Sequence, residues 1–193
     1  MRSDALQRRV TILRTARELF AELGANVAMD LVAERSNVGI GTLYRNFADR
    51  VELVEEVTVN MLQEISNAAT NAQASWESDA DAWTTFVDKL VASDLGALSE
   101  ALGAGLPATL NERVLTVQRQ CALNVTQVLQ LAKERELVRE DLNTVELMTV
   151  IGAATRPLPR AFRDKSPQLQ ERLVQLMLDG LKPGGHRDLP VQE

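Results

Sequence analysis

The chain has 193 residues, of which 45% are hydrophobic and 25% charged, with a net charge of −6 and only 4% aromatics. This is enough apolar material for a core of one domain or a small domain fused to a medium one, while scarce aromatics disfavour a β-sandwich and a stacking-based single-strand binder. The lone cysteine, Cys121, excludes an intramolecular disulfide, no stretch approaches the roughly 18 uninterrupted apolar residues of a membrane span, and the charged N-terminus has no apolar signal region, so a cytoplasmic protein without membrane contact is expected.

The charge is unevenly placed. Residues 1–50 hold eight arginines against six acids, a net +2, which leaves −8 for the remainder. A nucleic-acid binder needs a local basic face rather than a basic whole, so this asymmetry permits such a role without establishing it.

Taken in order, residues 3–23 place Leu6, Val10, Leu13, Ala16, Leu19 or Phe20, and Leu23 three to four apart, which predicts an amphipathic helix ending near Gly24. Asp30 offers an N-cap for a short helix through Ser36, with Val32 and Ala33 facing inward. Asn37 stands where the chain must turn, and asparagine tolerates the left-handed region better than most residues. A third helix follows from Ile40 to Phe47, pinned by Leu43 and Phe47. A turn of three to four residues between two short helices is the helix-turn-helix spacing. Recognition helices meet base edges with their N-terminal residues. Gly41 therefore permits close approach and Ile40 suits a thymine methyl. Thr42, Tyr44 and Arg45 suit phosphates or bases. Asp49, with Glu52 three residues on, caps a fourth helix. Arg50 lies in its first turn against the helix-dipole preference, for which a nearby phosphate is one reason.

The run G-T-L-Y-R-N-F-A-D-R, preceded by M-D-L-V-A-E-R-S-N-V-G, resembles the DNA-binding domain of TetR-family (tetracycline-repressor-like) transcriptional regulators over roughly residues 8–55. The resemblance implies that Thr42, Tyr44 and Arg45 occupy recognition-helix contact positions and that Arg50 meets a phosphate. Departures are Asn37 for the usual turn glycine, Ala48 for a common proline, Gly39 for a frequent capping serine, and Leu31 where a polar residue is common.

Beyond residue 55 periodicity carries the reading. Val51, Leu53, Val54, Val57, Met61, Leu62 and Ile65 continue the fourth helix to about Ala72, and Asn71 to Asp81 reads as a polar loop. A fifth helix from Asp81 carries Trp83, Phe86, Val87, Leu90, Val91 and Leu95, and Gly103, Gly105 and Pro107 break the stretch after Leu98. A long helix from about Thr109 to Glu136 presents Val114, Leu115, Cys121, Val125, Leu129 and Ala132. Two more apolar helices lie near 142–156 and 167–181. The stretch from Trp83 to Gly103 and the closing L-D-G-L-K-P-G-G are similar to one subgroup of the family.

The expectation is an all-α protein: an N-terminal three-helix helix-turn-helix domain over 1–50, a C-terminal helical ligand-binding and dimerisation bundle over 51–182, and a flexible tail over 183–193. Met61, Trp83, Phe86, Leu90, Cys121, Val125, Met148 and Phe162 are candidates to line a ligand cavity, each with plain core as the alternative. Cys121 reads first as a small buried hydrophobe. The arginines of the first helix, Arg8, Arg9 and Arg14, fit either a DNA-facing or an ordinary solvated surface. No catalytic set emerges: the only histidine, His186, lies in the expected tail, no phosphate-binding loop or metalloprotease motif is present, and Glu55 and Glu56 diverge by about 100° on a helix, toward a solvated face. Neither a metal nor a cofactor is expected.

The resemblance further implies a ligand-responsive repressor binding a palindromic double-stranded operator as a homodimer, paired through helices 142–156 and 167–181, with an unidentified small-molecule effector. A ligand-independent architectural or activating DNA binder and a helical enzyme or interaction module stay open as alternatives.

Overall fold

The computed structural model describes residues 2–23, 26–93, 95, 96, 98, 111–158, 165, 166 and 168–184. Among them the fold is all helical: α1 (Arg2–Leu23), α2 (Met29–Arg35), α3 (Ile40–Asn46), α4 (Arg50–Ser75), α5 (Ala82–Ala92), α6 (Glu112–Glu134), α7 (Thr144–Thr155) and α8 (Leu169–Asp179). Gly24, Phe162, the expected break at Gly103–Pro107 and the tail with His186 lie outside the described residues.

The head is built by short-range chemistry. After α2, Asn37 adopts φ 54°. The Val38 amide then donates to the Ala33 carbonyl at 3.0 Å and the Asn37 amide to Glu34 at 3.0 Å. These two bonds close the left-handed C-terminal cap in which an amide beyond the helix reaches back to orphan carbonyls. The same arrangement ends α6, where Glu136 stands at φ 54° and the Leu137 amide reaches Ala132 at 2.9 Å. Asp49 caps α4 by accepting from the Glu52 amide at 2.9 Å, and the Glu52 carboxylate accepts in turn from the Ala48 amide at 2.7 Å. Asp30, expected as the cap of α2, instead lies in its first turn, where an acid suits the dipole; the cap is Ala28, without a side-chain bond. Leu31, unexplained by the motif, is partly buried against the core.

The first helix buries the middle of its expected line, Ala16, Leu19 and Phe20, and leaves both ends of it exposed. Its buried line is Ile12, Ala16, Leu19 and Phe20, whereas Leu6 and Val10 are 66% and 53% exposed. The buried part of the line, joined by Ile12, is continuous with Val32, Leu43 and Phe47.

The body is organised on α4 and α6, which pack along each other. Ala69 and Ala72 of α4 are buried, and Asn124 of α6 donates to Ser66 Oγ at 2.7 Å while its carbonyl accepts from Gln73 at 3.0 Å. The polar loop expected over 71–81 is a helix as far as Ser75, and Trp76 behind it is buried. The inward positions Ile65, Ala69, Ala72 and Trp76 continue a spacing of three to four that small alanines conceal in the sequence. Arg135 lies 5.1 Å over the Trp76 ring, a cation–π contact fastening the end of α6. α7 begins with a reciprocal capping box between Asn143 and Glu146.

Candidate nucleic-acid interface and inter-helix cleft

On α3, Leu43 and Phe47 are fully buried, so the opposite side is fixed outward. Gly41, Tyr44 and Arg45, three and four apart, form an exposed strip, with Ile40 40% and Tyr44 48% exposed. Arg45 Nη2 donates to Thr42 Oγ1 at 2.9 Å, which holds the guanidinium along the same surface. A side chain at Gly39 or Gly41 would meet nothing within 4 Å. The helix entrance is therefore bare by composition, and nothing in the protein's own packing requires glycine at either position. The strip offers a large amphipathic ring, a guanidinium and a hydroxyl beside an uncovered backbone, which is the inventory for phosphate and base-edge contact in a groove.

Arg50 is placed differently from a free phosphate ligand. Its Nη1 donates to the Val27 carbonyl at 2.7 Å, and Nη2 is buried with no hydrogen-bond partner among the described residues. The Val27 carbonyl gives a structural reason for a cation in the first turn of α4. Of the first-helix arginines, Arg8 and Arg14 are exposed. Arg9 is not: it lies 4.3 Å over the Phe47 ring, donates to the Asn46 carbonyl at 2.5 Å, and pairs with Glu56 at 3.2 Å. Glu56, expected on a solvated face, is buried at 8% exposure and also ion-paired with Arg113. Its neighbour Glu55 accepts from Asn111 Nδ2. Adjacent acids do diverge around a helix, but the N-terminus of α6 crosses α4 there and covers one of them.

In the body, Leu62, Leu95, Gly96, Gln118, Cys121, Val125 and Met148 border a cleft of about 480 Å³ between α6 and α7, open on the side of Val145, Thr149 and Ala153. Cys121, Val125 and Met148, three of the residues proposed from the sequence, are brought together here. Met61 and Leu90 do not line it; they are buried in the core. Trp83 borders a separate depression against α8, and Phe86 another between α4 and α5. Trp83 and Phe86 instead meet each other, their ring centroids 6.0 Å apart and tilted by 47°, away from the cleft. Gly96 and Gly152, which periodicity passed over, bring the backbone after α5 against α7, and the Gly96 amide donates to Thr155 Oγ1 at 2.9 Å.

Burial pushes the Cys121 thiol up from 9.0 to about 11. A raised thiol pKa means the neutral form dominates throughout the physiological range, the opposite of an activated sensor cysteine. Alkylation by iodoacetamide at pH 8 should run about a hundredfold slower in the native chain than in the urea-unfolded chain, following the lost thiolate; equal rates would show an accessible, reactive thiolate.

Among the described residues no group of three or more His, Cys, Asp or Glu is arranged to hold a metal ion, and no helix is long and apolar enough to cross a membrane.

Two family models match the chain. Residues 12–57 match the bacterial regulatory proteins of the tetR family, and residues 78–183 match the transcriptional regulator SbtR-like C-terminal domain. Among curated relatives, an HTH-type transcriptional regulator of Staphylococcus aureus is 32% identical over 92 residues, covering 47% of this chain and 50% of that one. An uncharacterized HTH-type regulator of Bacillus subtilis, YhgD, is 36% identical over 69 residues, 35% of this chain and 36% of that one. The chain thus spans half or less of the length of these relatives. Among solved structures, a TetR transcription regulatory protein from Mycobacterium vanbaalenii superposes with a TM-score of 0.62 at 26% identity, covering 94% of this chain and 99% of that one. A TetR regulator from Streptomyces coelicolor shares the fold with a TM-score of 0.63 at 23% identity, over 92% and 99% of the two chains. The matched models and relatives are transcriptional regulators, not enzymes. With an exposed strip on the third helix of a helix-turn-helix and a family model covering more than half its length, this chain belongs to the TetR family of helix-turn-helix transcriptional regulators.

Proposed function

We propose that this regulator is a ligand-responsive repressor that binds a palindromic operator as a homodimer. The head over 1–50 would supply DNA contacts through Ile40, Gly41, Thr42, Tyr44 and Arg45, and the body over 51–182 the effector cleft and the dimer surface. The observation that carries this reading is the outward strip on α3, fixed by the burial of Leu43 and Phe47 on the opposite side. Arg50 would join it only by giving up the Val27 carbonyl for a phosphate.

Dimerisation is supported by α7 and α8. α7 carries one charged residue, Glu146, yet leaves Val145, Thr149 and Ala153 exposed at four-residue spacing. Leu176 of α8 is 63% exposed. Small and apolar residues repeated at this interval suit the close, nearly parallel packing of a four-helix bundle across a two-fold axis. Such a two-fold places two recognition helices in successive major grooves. An effector in the cleft beside α7 acts only by binding the DNA-incompetent arrangement more tightly than the competent one.

The test is operator binding by duplexes enriched from a random library. Arg45→Ala should weaken binding by about 1–3 kcal/mol if it reads a base, or reduce the salt slope by about one if it meets a phosphate. Tyr44→Phe should weaken it less. Unchanged affinity and salt slope in both variants would remove α3 from the interface. Sedimentation of the same protein at micromolar concentration should show a dimer, and a monomer would remove the two-fold.

A further inference from the structure

The head and the body meet at one buried carboxylate. Glu56, on the second turn of α4, has a side chain only 10% exposed, while the two guanidinium groups that reach it come from opposite halves of the chain. Arg9 arrives from α1 and bonds Oε2 at 3.2 Å. Arg113 arrives from the first turn of α6, pairing Nη1 with Oε1 and donating from Nη2 to Oε2 at 3.3 Å. A carboxylate buried to this extent is tolerable only while its charge is compensated, so the position of one arginine constrains what the other finds.

Each arginine is attached to something of consequence. Arg9 also donates to the carbonyl of Asn46, the last residue of α3, and covers the ring of Phe47, the residue that ends it. One guanidinium therefore sets the C-terminal end of the recognition helix against α1 and α4. At the other end, Arg113 belongs to an α6 terminus fastened to α4 twice. Asn111 caps α6 by accepting from the Val114 amide at 2.9 Å, and donates to Glu55. From there α6 runs on to Gln118, Cys121, Ala122 and Val125, which border the cleft. At 1.5 Å of rise per residue, Cys121 lies about 12 Å along the same helix from Arg113. A helix transmits a displacement over that distance as a rod.

We propose that Glu56 is the positioning residue of the recognition helix, holding α3 through Arg9, and that Arg113 couples it to the cleft-lining helix. Movement of α6 at the cleft withdraws Arg113 and leaves the carboxylate with one partner. The charge then recruits Arg9 or water, and Arg9's bond to the end of α3 loosens. A second tie, Arg17 paired with Glu64 and donating to the Ser93 carbonyl at 2.8 Å, fastens the opposite end of α1 to α4 and the end of α5. Loss of the Glu56 joint therefore tilts the head about a retained contact and leaves it attached.

The DNA half of this inference rests on the proposed function, so the test reads the joint both with and without DNA. Arg113 is 59% exposed, and far-UV circular dichroism of Arg113→Gln matching wild type is the control that the fold is kept. Amide hydrogen exchange of the full chain should show residues 40–47 of Arg113→Gln exchanging at least about threefold faster than wild type. Residues 144–155 should be unchanged, Arg113→Lys should recover part of the protection, and Arg135→Gln, at the other end of α6, should have no effect on 40–47. On a labelled duplex enriched by the wild-type chain, Arg113→Gln should bind about fivefold more weakly, and should have no further effect in a Glu56→Gln background. Unchanged exchange over 40–47, or equal effects of Arg113→Gln in both backgrounds, overturns the coupling. Faster exchange in a chain whose wild type enriches no duplex keeps the joint and overturns the DNA reading instead.

Discussion

Phe47→Ala should cost the head about 3–5 kcal/mol, the range for removing a buried aromatic. Phe47 is fully buried, closes α3 through its amide bond to the Leu43 carbonyl at 2.9 Å, and carries the Arg9 guanidinium on its face. Alanine removes the ring from the junction of α1, α3 and α4 and also the platform that the half-buried Arg9 covers, the latter worth about 0.5–2 kcal/mol. A head of about 50 residues has little to spare. Both tryptophans, Trp76 and Trp83, lie in the body, which separates the two halves spectroscopically. Urea titration should therefore show far-UV ellipticity falling before tryptophan fluorescence in the variant, with duplex binding lost. A coincident transition within about 1 kcal/mol of wild type would show that the ring contributes little to the junction.

Gly96→Ala should be the most disruptive conservative change in the body. An added Cβ would stand 2.1 Å from the Gly152 carbonyl oxygen, 2.3 Å from the Arg156 nitrogen and 2.6 Å from the Thr155 carbonyl carbon. All three are backbone atoms of α7 or its cap, so no rotamer change relieves the clash. Either the segment at 95–98 lifts from α7 or α7 bends away. Lifting breaks the Gly96 amide bond to Thr155 and exposes Leu95 and Leu98, both buried. The cost should exceed the roughly 1–3 kcal/mol of ordinary overpacking. Because Gly96 also borders the cleft, binding of any small molecule there should weaken together with thermal stability. A variant with an unshifted melting temperature would mean that the two backbones separate without penalty.

The head was legible from sequence because its determinants are local. Asn37 in the left-handed region, Asp49 with Glu52, and the Leu43–Phe47 pair each act within a few residues, so spacing alone exposes them. The first helix shows the limit: Leu6 and Val10 satisfy the period as well as Ala16 and Leu19 do, and only packing against α2–α4 decides how far along the helix the line is buried. Glu56 is a sharper case. Two adjacent acids on a helix give no sign that an arginine more than fifty residues later will cover one of them. The cleft was half legible for the same reason. Cys121, Val125 and Met148 lie on helices that come to face each other, whereas Trp83, Phe86, Met61 and Leu90 are equally apolar and are turned elsewhere by the crossing of α4, α5 and α8. Alanine-rich turns also hide a core face, which is why Trp76 was read as part of a loop.

The unbroken course of α4 has a consequence for how such a protein can be taken apart. Its first turn is built into the head by the Asp49 cap and the Arg50–Val27 bond, and its last turns belong wholly to the body beneath α6. Twenty-six residues of continuous helix, about 39 Å, join the two. No peptide bond near residue 50 is a natural seam, either for a protease or for an engineer exchanging recognition modules between regulators. A transplanted head must bring the opening turns of α4 with it, together with the acid on its second turn and a matching basic residue waiting on the recipient's α6. If the proposed joint operates, exchange of heads within this scaffold turns on the ion pair of Glu56 and Arg113, two charges set apart from both the α3 strip and the cleft.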